Sequence, residues 1–391
     1  MPIPFTYSIR SVAVRKGASA MAVGGIALVV VVLVAMLALA AGIRHAVATS
    51  GSDQNIIVLR KGADAELQSL ISRDASRVIR ELPFVADGSD GRPLFITESV
   101  IILNRTKVEG GQTNVSVRGT PVDSRRVRPD VVLTQGRWFT PGTNEAVIGS
   151  SLGRRLQGFQ LGQTIVAGKR PWTIVGVFDA HGSALESEMW IDVEMMQTVF
   201  NRGDLFQSAL FRARGDTLAA LRELDGQIRD DPRLRTIMAQ PESEYYSKQS
   251  QLMAGVITAL GGMLAGIMAI GAVVGAMNTM YAAVSQRKRE IGCMLAMGFT
   301  PESIWLAFIL ESMVLSFAGA VVGCSISLLF DGIQTGTTNL MTFSETAFEF
   351  RVTPEILLIA TATALFMGFL GGLLPAMQAA RLKVVDALRR A

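Results

Sequence analysis

The sequence has very few of the side chains from which metal sites and nucleophilic active sites are built. Only two cysteines, Cys293 and Cys324, and two histidines, His45 and His181, occur among its 391 residues. Zinc sites usually need four such ligands at close spacing, and no H-E-x-x-H pattern is present. We therefore expect no metal site and no bound cofactor. Segment 43–251 contains no cysteine, so it folds without a disulfide.

A nucleotide-binding loop and a surplus of charge are also missing. The nearest approach to a P-loop, Gly168-Lys169, lacks the upstream glycine and is followed by Arg170. This chain is therefore not expected to be an enzyme that hydrolyses ATP. Segment 43–251 carries 26 basic and 25 acidic residues. Because nucleic-acid binding needs a surplus of positive charge on one face, this balance argues against a nucleic-acid partner.

Long apolar runs are what the sequence has in abundance. Four of them are long enough to cross about 30 Å of hydrocarbon, which takes about 20 helical residues. The run at 20–42 follows basic residues, as a secretory signal does. Its apolar core is longer than the roughly 7 to 15 residues of a signal, so we expect a retained anchor in the lipid bilayer. The predicted transmembrane helices lie at 20–42, 252–284, 303–330 and 355–377.

Basic residues near the ends of these runs predict the orientation. Of eleven Lys and Arg residues outside 43–251, ten fall on one side of the membrane, which the positive-inside rule makes cytoplasmic. We expect a multi-pass membrane protein with both termini inside. The predicted segments are a cytoplasmic N-terminal segment at 1–19, an extracytoplasmic domain at 43–251, a cytoplasmic linker at 285–302, a short external loop at 331–354 and a cytoplasmic tail at 378–391. The ten basic residues are Arg10, Arg15, Lys16, Arg287, Lys288, Arg289, Arg381, Lys383, Arg389 and Arg390.

The segment at 43–251 reads as an α+β domain of two lobes. Apolar residues at helical spacing predict an amphipathic helix over 67–82 and a second helix over 217–229. The whole chain is thus predicted to be an α-helical membrane protein with four transmembrane helices and an α+β extracytoplasmic domain inserted between helices 1 and 2. Runs of β-branched and aromatic residues predict strands at 55–59, 96–103, 113–118, 130–133, 145–148, 163–167, 171–178 and 234–238.

One short pattern in this domain favours catalysis. Gly149-Ser-Ser151-Leu-Gly153 matches the G-x-S-x-G pattern of a hydrolase nucleophile elbow, and His181 would supply the base. The match is short, and no long βαβ order surrounds it. We favour the alternative, a glycine-punctuated turn that follows the strand at 145–148.

Within the predicted spans, six glycines and one carboxylate are candidate functional residues. Glycines four residues apart let helix backbones approach closely, either within one chain or between two copies. Glu311 is an ionisable group inside a span, which is costly and therefore marks a functional candidate. Its alternative role is a structural bond to a neighbouring span or a nearby arginine. The glycine pairs are Gly262 with Gly266, Gly271 with Gly275 and Gly319 with Gly323.

Two motifs at the ends of the membrane segment resemble one known family. Arg289-Glu-Ile-Gly-Cys-Met-Leu-Ala-Met-Gly298, followed by Ile304 and Glu311-Ser, resembles the R-E-I-G-x-L-x-A-x-G…I…E-S signature of MacB/FtsX-like ABC permeases, also called type VII transporters. Pro375-Ala-Met-Gln-Ala-Ala-Arg-Leu-Lys-Val-Val-Asp-Ala-Leu-Arg389 is similar to their closing motif, P-A-x-x-A-A-x-L-x-P-V-E-A-L-R. Met294, Leu295 and Val384 depart from the usual residues.

The domain at 43–251 adds a third match. Glu145-Ala-Val-Ile-Gly-Ser-Ser-Leu-Gly153, Leu161-Gly-Gln-Thr-Ile165 and Trp172-Thr-Ile-Val-Gly-Val-Phe178 are similar to the extracytoplasmic domain of the same family. The resemblance therefore covers nearly the whole chain. It also accounts for the hydrolase-like pattern as a turn of that domain.

This resemblance implies the permease subunit of an ABC transporter in the bacterial cytoplasmic (inner) membrane, with the domain at 43–251 in the periplasm. In that family a permease pairs with a second copy or a paralogue and with separate or fused cytoplasmic ABC ATPases, which hold the ATP and Mg²⁺. Some systems add a periplasmic adaptor protein and an outer-membrane channel. Because no ATPase is recognised in this chain, the split arrangement is implied. ATP-driven change of the periplasmic domain would export or extract a hydrophobic or lipidated substrate; the alternative is an FtsX-like regulator of an external cell-wall hydrolase.

The linker at 285–302 is the predicted coupling element. Its charged residues form the polar part of a helix, and its apolar residues form a stripe for the membrane edge or for a groove on the ATPase. The alternative role of the basic residues is to hold anionic lipid. The residues assigned to ATPase coupling are Arg287, Lys288, Arg289, Glu290, Ile291, Gly292, Leu295 and Gly298.

Overall fold

The computed structural model describes residues 16–338 and 344–382, and the chain divides into two compact units. The membrane unit comprises the chain up to Ala41, Gly255–Ile333 and the chain from Phe350 onward. The external unit comprises Gly42–Ala254 and Gln334–Glu349. The predictions that rest on Arg10, Arg15, Lys383, Val384, Arg389 and Arg390 lie outside the described residues.

Ten α-helices and fourteen strands occur within the described ranges. The helices are α1 (Lys16–Ala48), α2 (Arg73–Arg80), α3 (Ser124–Val127), α4 (Ser150–Arg155), α5 (Val193–Val199), α6 (Thr217–Asp230), α7 (Glu242–Gln286), α8 (Lys288–Ala296), α9 (Pro301–Ser327) and α10 (Pro354–Ala380). The strands are β1 (Asn55–Arg60), β2 (Ile71–Ser72), β3 (Phe95–Thr106), β4 (Gln112–Thr120), β5 (Val132–Gly136), β6 (Glu145–Gly149), β7 (Thr164–Ala167), β8 (Arg170–Asp179), β9 (Glu188–Asp192), β10 (Leu205–Phe206), β11 (Ser208–Arg212), β12 (Ile237–Pro241), β13 (Gln334–Thr338) and β14 (Glu345–Glu349).

Helices α1, α7, α9 and α10 are each long and apolar enough to cross a membrane. They contain the predicted spans at 20–42, 252–284 and 355–377 and most of the span at 303–330, whose last three residues form a 3-10 turn after α9. α7 begins at Glu242 rather than at 252, because the polar segment before the apolar run is helical too. Its 45 residues extend over roughly 68 Å at 1.5 Å per residue. A hydropathy pattern locates only the apolar part of such a helix.

One mixed sheet organises the external unit. Its strand order is β12-β1-β11-β3-β4-β9-β6-β8-β5, with β7 paired to β8. The pairs β4–β9 and β6–β8 are parallel, and the other pairs are antiparallel. Buried clusters lie along this sheet, one around Phe211 and Leu224, one around Ile148 and Trp172, and one around Phe178 and Trp190. The expected division into two lobes stays a prediction. The long strands β3 and β4 continue the sheet from one half to the other.

Three parts of the external unit differ from the sequence-based expectation. The helix expected over 67–82 is shortened to α2, because Ile71–Ser72 forms a strand that pairs with Leu205–Phe206. Strands β9 and β11 were not expected. The loop at 331–354 contains the antiparallel hairpin β13–β14, which belongs to the external unit and not to a loop of the membrane unit.

Candidate functional site

The predicted linker contains a short helix, α8, that ends in a glycine turn. Gly298 has a φ of +92°, a conformation that favours glycine. Its N–H donates to the Leu295 carbonyl at 3.1 Å, and the N–H of Phe299 donates to the Met294 carbonyl at 3.1 Å. These two bonds form a Schellman motif. Gly298 was expected in an apolar stripe, but its role is to end α8.

Arg287 lies between α7 and α8 and is largely buried. Its Nη1 lies 3.1 Å from Glu311 Oε2, and its Nε lies 3.2 Å from Glu290 Oε2. The guanidinium also lies over the ring of Phe308, 5.7 Å from the centroid. Arg287 therefore does not belong to the exposed polar part of the linker helix. For Glu311, the bond to a nearby arginine that the sequence left open is the one observed.

Ile291 and Gly292 are buried within the membrane unit. Ile291 is 0 % exposed and belongs to a cluster with Val284 and Ile304, on α7 and α9. Leu295 is half-buried against the same cluster. The apolar stripe of the linker thus packs against spans of its own chain. Ile291 and Gly292 are thus covered within the chain itself, and their predicted contact with an ATPase stays a prediction.

The outer face of α8 keeps the remaining charged residues of the linker accessible. Lys288, Arg289 and Glu290 are exposed, and Met297 at the end of the helix is 70 % exposed. This face combines both signs of charge with one flexible apolar side chain. It is the part of the linker that a partner protein can touch without disrupting the membrane unit.

The predicted glycine pairs fall into two groups. A Cβ on Gly319 would lie 2.9 Å from Ile26 Cβ, and one on Gly323 would lie 2.7 Å from Val30 Cβ. These two glycines therefore let α9 pack closely on α1. The other four, on α7, would meet no atom within 4 Å. They are Gly262, Gly266, Gly271 and Gly275.

A further pair of glycines, on α10, was missed in the sequence. A Cβ on Gly372 would lie 2.7 Å from Ser312 Cβ, and Ser316 occupies the space beside Gly368. Ser312 Oγ also donates a hydrogen bond to the Gly368 carbonyl at 2.6 Å. The four-residue spacing of Gly368 and Gly372 is the signal that would have identified this α9–α10 contact.

A buried cluster of charged side chains lies inside the external unit, and none of its members was predicted as functional. At its centre Arg118, 2 % exposed, bonds three carboxylates. Its Nη1 lies 2.9 Å from Glu66 Oε1 and 3.0 Å from Glu98 Oε2, and its Nε lies 2.7 Å from Glu188 Oε2. Such a group stays buried only because every charge has a bonded partner.

Arg128 extends this cluster to the beginning of α7. Its Nη1 lies 2.7 Å from Glu98 Oε1, and its Nη2 lies 3.2 Å from Glu242 Oε1. Burial by itself would raise the pKa of Glu98, but Arg128 and then Arg118 outweigh that effect and lower the pKa to about 2. Glu98 is therefore charged throughout the physiological range.

The external end of α7 is bonded to the sheet by its first turn. Glu242 accepts hydrogen bonds from Asn55 Nδ2 at 2.8 Å and from the Ser52 N–H at 3.1 Å. One turn later, Tyr245 Oη accepts a bond from the Glu66 N–H at 3.1 Å. The first residues of α7 are thus held by the same cluster that joins the strands.

The hairpin β13–β14 is bonded to the external unit in a similar way. Glu345 forms ion pairs with Lys107, at 2.8 Å, and with Arg155. The Ala347 N–H donates to Ser187 Oγ at 2.7 Å. The connection between α9 and α10 therefore contributes a hairpin to the fold of this unit.

The residues that follow α1 are held as well. Ser50 Oγ accepts a bond from the Ala184 N–H at 2.8 Å, and a Cβ on Gly51 would lie 2.7 Å from the backbone of Glu242. The end of α1, the start of α7 and the α9–α10 connection are thus all built into the external unit.

The residues of the hydrolase-like pattern form no catalytic pair. Ser151 is buried and its Oγ donates to Glu186 at 3.4 Å. His181 is exposed, and its Nδ1 lies 3.9 Å from Asp179 Oδ1. Within the described residues, no hydrogen bond joins Ser151 to His181. Glu186 also accepts bonds from the N–H groups of Ala180, at 3.0 Å, and Gly182, so it organises a turn.

Two family models match successive parts of the chain. The model described as FtsX-like permease C-terminal matches residues 262–384. The model described as MacB-like periplasmic core domain matches residues 19–228, more than half of the chain. The chain belongs to the MacB/FtsX-like ABC permease family. This confirms the family that the motifs at 289–298, 375–389 and 145–178 indicate.

Two relatives show how far the likeness extends. The ABC transporter permease YknZ of Bacillus subtilis is 25 % identical over 273 residues, which are 66 % of each chain. The macrolide export ATP-binding/permease protein MacB of Azoarcus sp. is 26 % identical over 404 residues, which cover 97 % of this chain and 58 % of that protein. The chain thus spans less than two thirds of either relative.

Solved structures of two family domains are similar to about half of this chain. The periplasmic region of MacB from Actinobacillus actinomycetemcomitans has a TM-score of 0.39 and 11 % identity, covering 50 % of this chain and 91 % of that one. The extracellular domain of YknZ has a TM-score of 0.35 and 17 % identity, covering 48 % of this chain and 99 % of that one.

Proposed function

We propose that this permease is the transmembrane subunit of an ABC transporter whose ATPase is a separate cytoplasmic chain. ATP hydrolysis in that partner changes the conformation of the periplasmic domain and so drives export or extraction of a hydrophobic or lipidated substrate. The permease lies in the bacterial inner membrane with both termini in the cytoplasm. ATP and Mg²⁺ are held by the partner, and this chain contributes no catalytic residue.

One observation supports this proposal above the others: all three segments that link the spans to the external unit form bonds inside that unit. The end of α1, the start of α7 and the α9–α10 hairpin each bond to it through buried contacts, among them Ser50, Glu242 and Glu345. A displacement of the spans along or across the membrane must therefore act on the fold of this unit. That is the property a subunit that transmits movement requires.

We propose that α8 is the element through which the ATPase acts on the membrane unit. Its exposed residues Lys288, Arg289 and Met297 are accessible to an ATPase, while Ile291 packs against α7 and α9. The Arg287–Glu311 pair then joins the start of α8 to the interior of α9. A push on α8 is in this way delivered to two spans.

We further propose that two copies of the permease, or this chain and a paralogue, pair through α7. One face of this helix carries exposed apolar residues at alternating spacings of four and three, the pattern of a helix–helix seam. The glycines Gly262 and Gly266 on the neighbouring face meet no atom of their own chain within 4 Å. The seam residues are Val256, Leu260, Met263, Ile267, Ile270 and Val274.

A second candidate function is regulation of an external cell-wall hydrolase, and the match of residues 262–384 to the FtsX-like model supports it. The two candidates share the coupling path and differ in what the external unit acts on. A strain without the permease distinguishes them. Altered cell-wall cleavage with normal export selects regulation, and accumulation of a lipidated or hydrophobic cargo selects transport.

The exposed face of α8 provides the test of ATPase coupling. Arg289→Glu combined with Met297→Glu is expected to abolish co-purification of an ABC ATPase with the full chain, because it changes the charge and removes the apolar contact of the docking face. The matched control, Arg222→Glu with Leu218→Glu, changes exposed residues of α6 in the same way. Unchanged ATPase recovery with the α8 variant, from chain that is folded and in the membrane, would contradict the proposed docking site.

A further inference from the structure

An arginine-rich groove lies in the external unit. It has a volume of about 560 Å³ and is lined by α2, the start of β3, α3 and neighbouring turns. Two acidic side chains, Asp123 and Glu194, also line it. The rest of the domain is close to neutral, so this concentration of guanidinium groups is a local feature. The lining arginines are Arg73, Arg77, Arg80, Arg92 and Arg126.

Two of these arginines are held by bonds that shape the groove. Arg73 Nη1 lies 3.1 Å from Glu194 Oε1, its Nε lies 2.9 Å from Asp204 Oδ1, and its guanidinium covers the ring of Phe206. Arg126 pairs with Asp90. Their charges are balanced by carboxylates of the same unit. They form the wall of the groove and leave ligand binding to the other three.

The remaining three arginines are exposed, and their ion pairs within the chain are long or absent among the described residues. Arg77 lies 3.7 Å from Asp74, and both side chains are at least 70 % exposed. Arg92 lies 3.8 Å from Asp90. Within the described residues, no ion pair involves Arg80. Exposed pairs of this kind contribute little to stability, so an incoming anion can replace them at small cost.

Apolar side chains line the groove beside the charged ones. Among them Pro93, Phe95 and Pro121 are partly exposed. A volume of about 560 Å³ falls within the usual range of small-molecule sites, roughly 300 to 1,000 Å³. A ligand that fills it has one strongly anionic end and one apolar part.

We propose that this groove binds the phosphate group of an anionic amphiphile. A guanidinium presents paired N–H donors that match the oxygens of a phosphate or a carboxylate. A carboxylate has two oxygens and satisfies one guanidinium in this way, whereas the three terminal oxygens of a phosphomonoester can accept bonds from several of the guanidinium groups that line the groove. The apolar body of the ligand then lies on Phe95 and the two prolines. The inference does not depend on ATPase coupling and holds for a transporter or a regulator.

The test is a binding titration on the full chain in a nonionic detergent. The probe is dihexanoylphosphatidic acid, a phosphomonoester, below its micelle concentration, with inorganic phosphate and hexaglutamate as separate arms. Wild-type chain is expected to bind the lipid at one saturable site. The Arg77→Glu/Arg80→Glu variant is expected to bind at least about tenfold more weakly, the change expected when a charge-assisted hydrogen bond is lost.

The matched control is Arg222→Glu/Arg229→Glu, which makes the same charge change on exposed residues of α6 outside the groove. Retained binding in this control, together with loss in the Arg77/Arg80 variant, supports the proposal. Arg92→Gln serves as a second, milder variant and should also weaken the binding. Equal affinity for inorganic phosphate would overturn the assignment of an amphiphile. Tighter binding of hexaglutamate, or binding unaffected by the groove variants, would overturn the phosphate site.

Discussion

At the scale of single residues, the ion pair of Arg287 and Glu311 indicates a structural role for two predicted site residues. Arg287 was expected on an exposed docking face, and Glu311 was a carboxylate without an assigned partner. The pair is 3.1 Å long, and both side chains are close to 90 % buried or more. Each explains the burial of the other. Their proposed role is to hold α8 against α9 rather than to touch the ATPase.

Replacing Glu311 with Ala is expected to destabilise the membrane unit by about 3 kcal/mol, because it leaves a buried guanidinium without its carboxylate. Thermal unfolding of the full chain in detergent measures this change. The double variant Arg287→Glu/Glu311→Arg should recover part of the loss. The control is Glu302→Ala, an exposed carboxylate on the same helix. Equal melting of the Glu311 and Glu302 variants would contradict a buried pair.

The charge cluster of the external unit makes a pH-dependent prediction. The pKa of Glu98 falls from an ordinary value of 4.5 to about 2, so the folded state holds the charged form more strongly than the unfolded state. Its stabilisation is therefore fully present above pH 4.5 and is lost as the pH falls toward 2. At about 1.4 kcal/mol per pKa unit, Glu98→Gln should cost about 3 kcal/mol at pH 7.

Denaturant unfolding followed by tryptophan fluorescence measures this cost, since Trp138, Trp172 and Trp190 all lie in the external unit. The difference between wild type and Glu98→Gln should be smaller at pH 3 than at pH 7. Glu223→Gln, an exposed change on α6, is the control. A difference that grows at pH 3 would contradict the lowered pKa.

These charged contacts could not be predicted from the sequence, and the reason is physical. Arg128 meets Glu98 and Glu242, which lie 30 and 114 positions away in the chain. Charge composition alone shows a balanced domain, and it does not separate buried pairs from a solvated surface. By contrast, the position of Glu311 inside an apolar run was sufficient to mark it as special.

At the scale of secondary-structure elements, glycine position separates contacts within the chain from surfaces left open. A side chain at Gly319 would overlap Ile26 of α1, whereas one at Gly266 of α7 would meet nothing within 4 Å. The identical spacing of these glycines in the sequence cannot distinguish the two cases. Only the packing of α9 on α1 does so.

Gly319→Val should therefore lower the stability of the membrane unit by about 1 to 3 kcal/mol, the usual cost of forcing an added side chain into a packed contact. Gly266→Val is the matched control and should leave the stability of a single chain unchanged. Thermal unfolding in dilute detergent solution compares the two. If both substitutions were tolerated equally, the close α1–α9 approach would be wrong.

The elements that were predicted are those with a clear pattern in the sequence. The runs that form α1, α9 and α10 are long and apolar, and α6 has clear helical periodicity, so these were expected. Strand β9, Glu188–Asp192, is buried along its whole length and has acidic residues at both ends, so it shows no alternating pattern. The hairpin β13–β14 depends on contacts with residues far away in the sequence, such as Lys107 and Arg155.

At the scale of the whole molecule, the permease combines a membrane unit, in which one face of α8 is exposed, with an external unit that includes three of the membrane connections. Our proposal that the permease transmits movement rests on the bonds of Ser50, Glu242 and Glu345, which join its membrane connections to the external unit. In this proposal the ATPase binds the face of α8 that includes Arg289, and ATP hydrolysis in that partner changes the conformation of the external unit. The dimer proposed through α7 makes that change measurable as a distance.

The most direct test is a spin-label distance measurement between the external units of two copies. Cys293 and Cys324 are the only cysteines, so Cys293→Ser/Cys324→Ala leaves a background for one label at Arg229→Cys on the exposed side of α6. With the co-purified ATPase bound, the account predicts different distance distributions without nucleotide and with ATP and vanadate. It also predicts loss of that difference in Arg289→Glu. Identical distributions in both states, while the bound ATPase hydrolyses ATP, would contradict it.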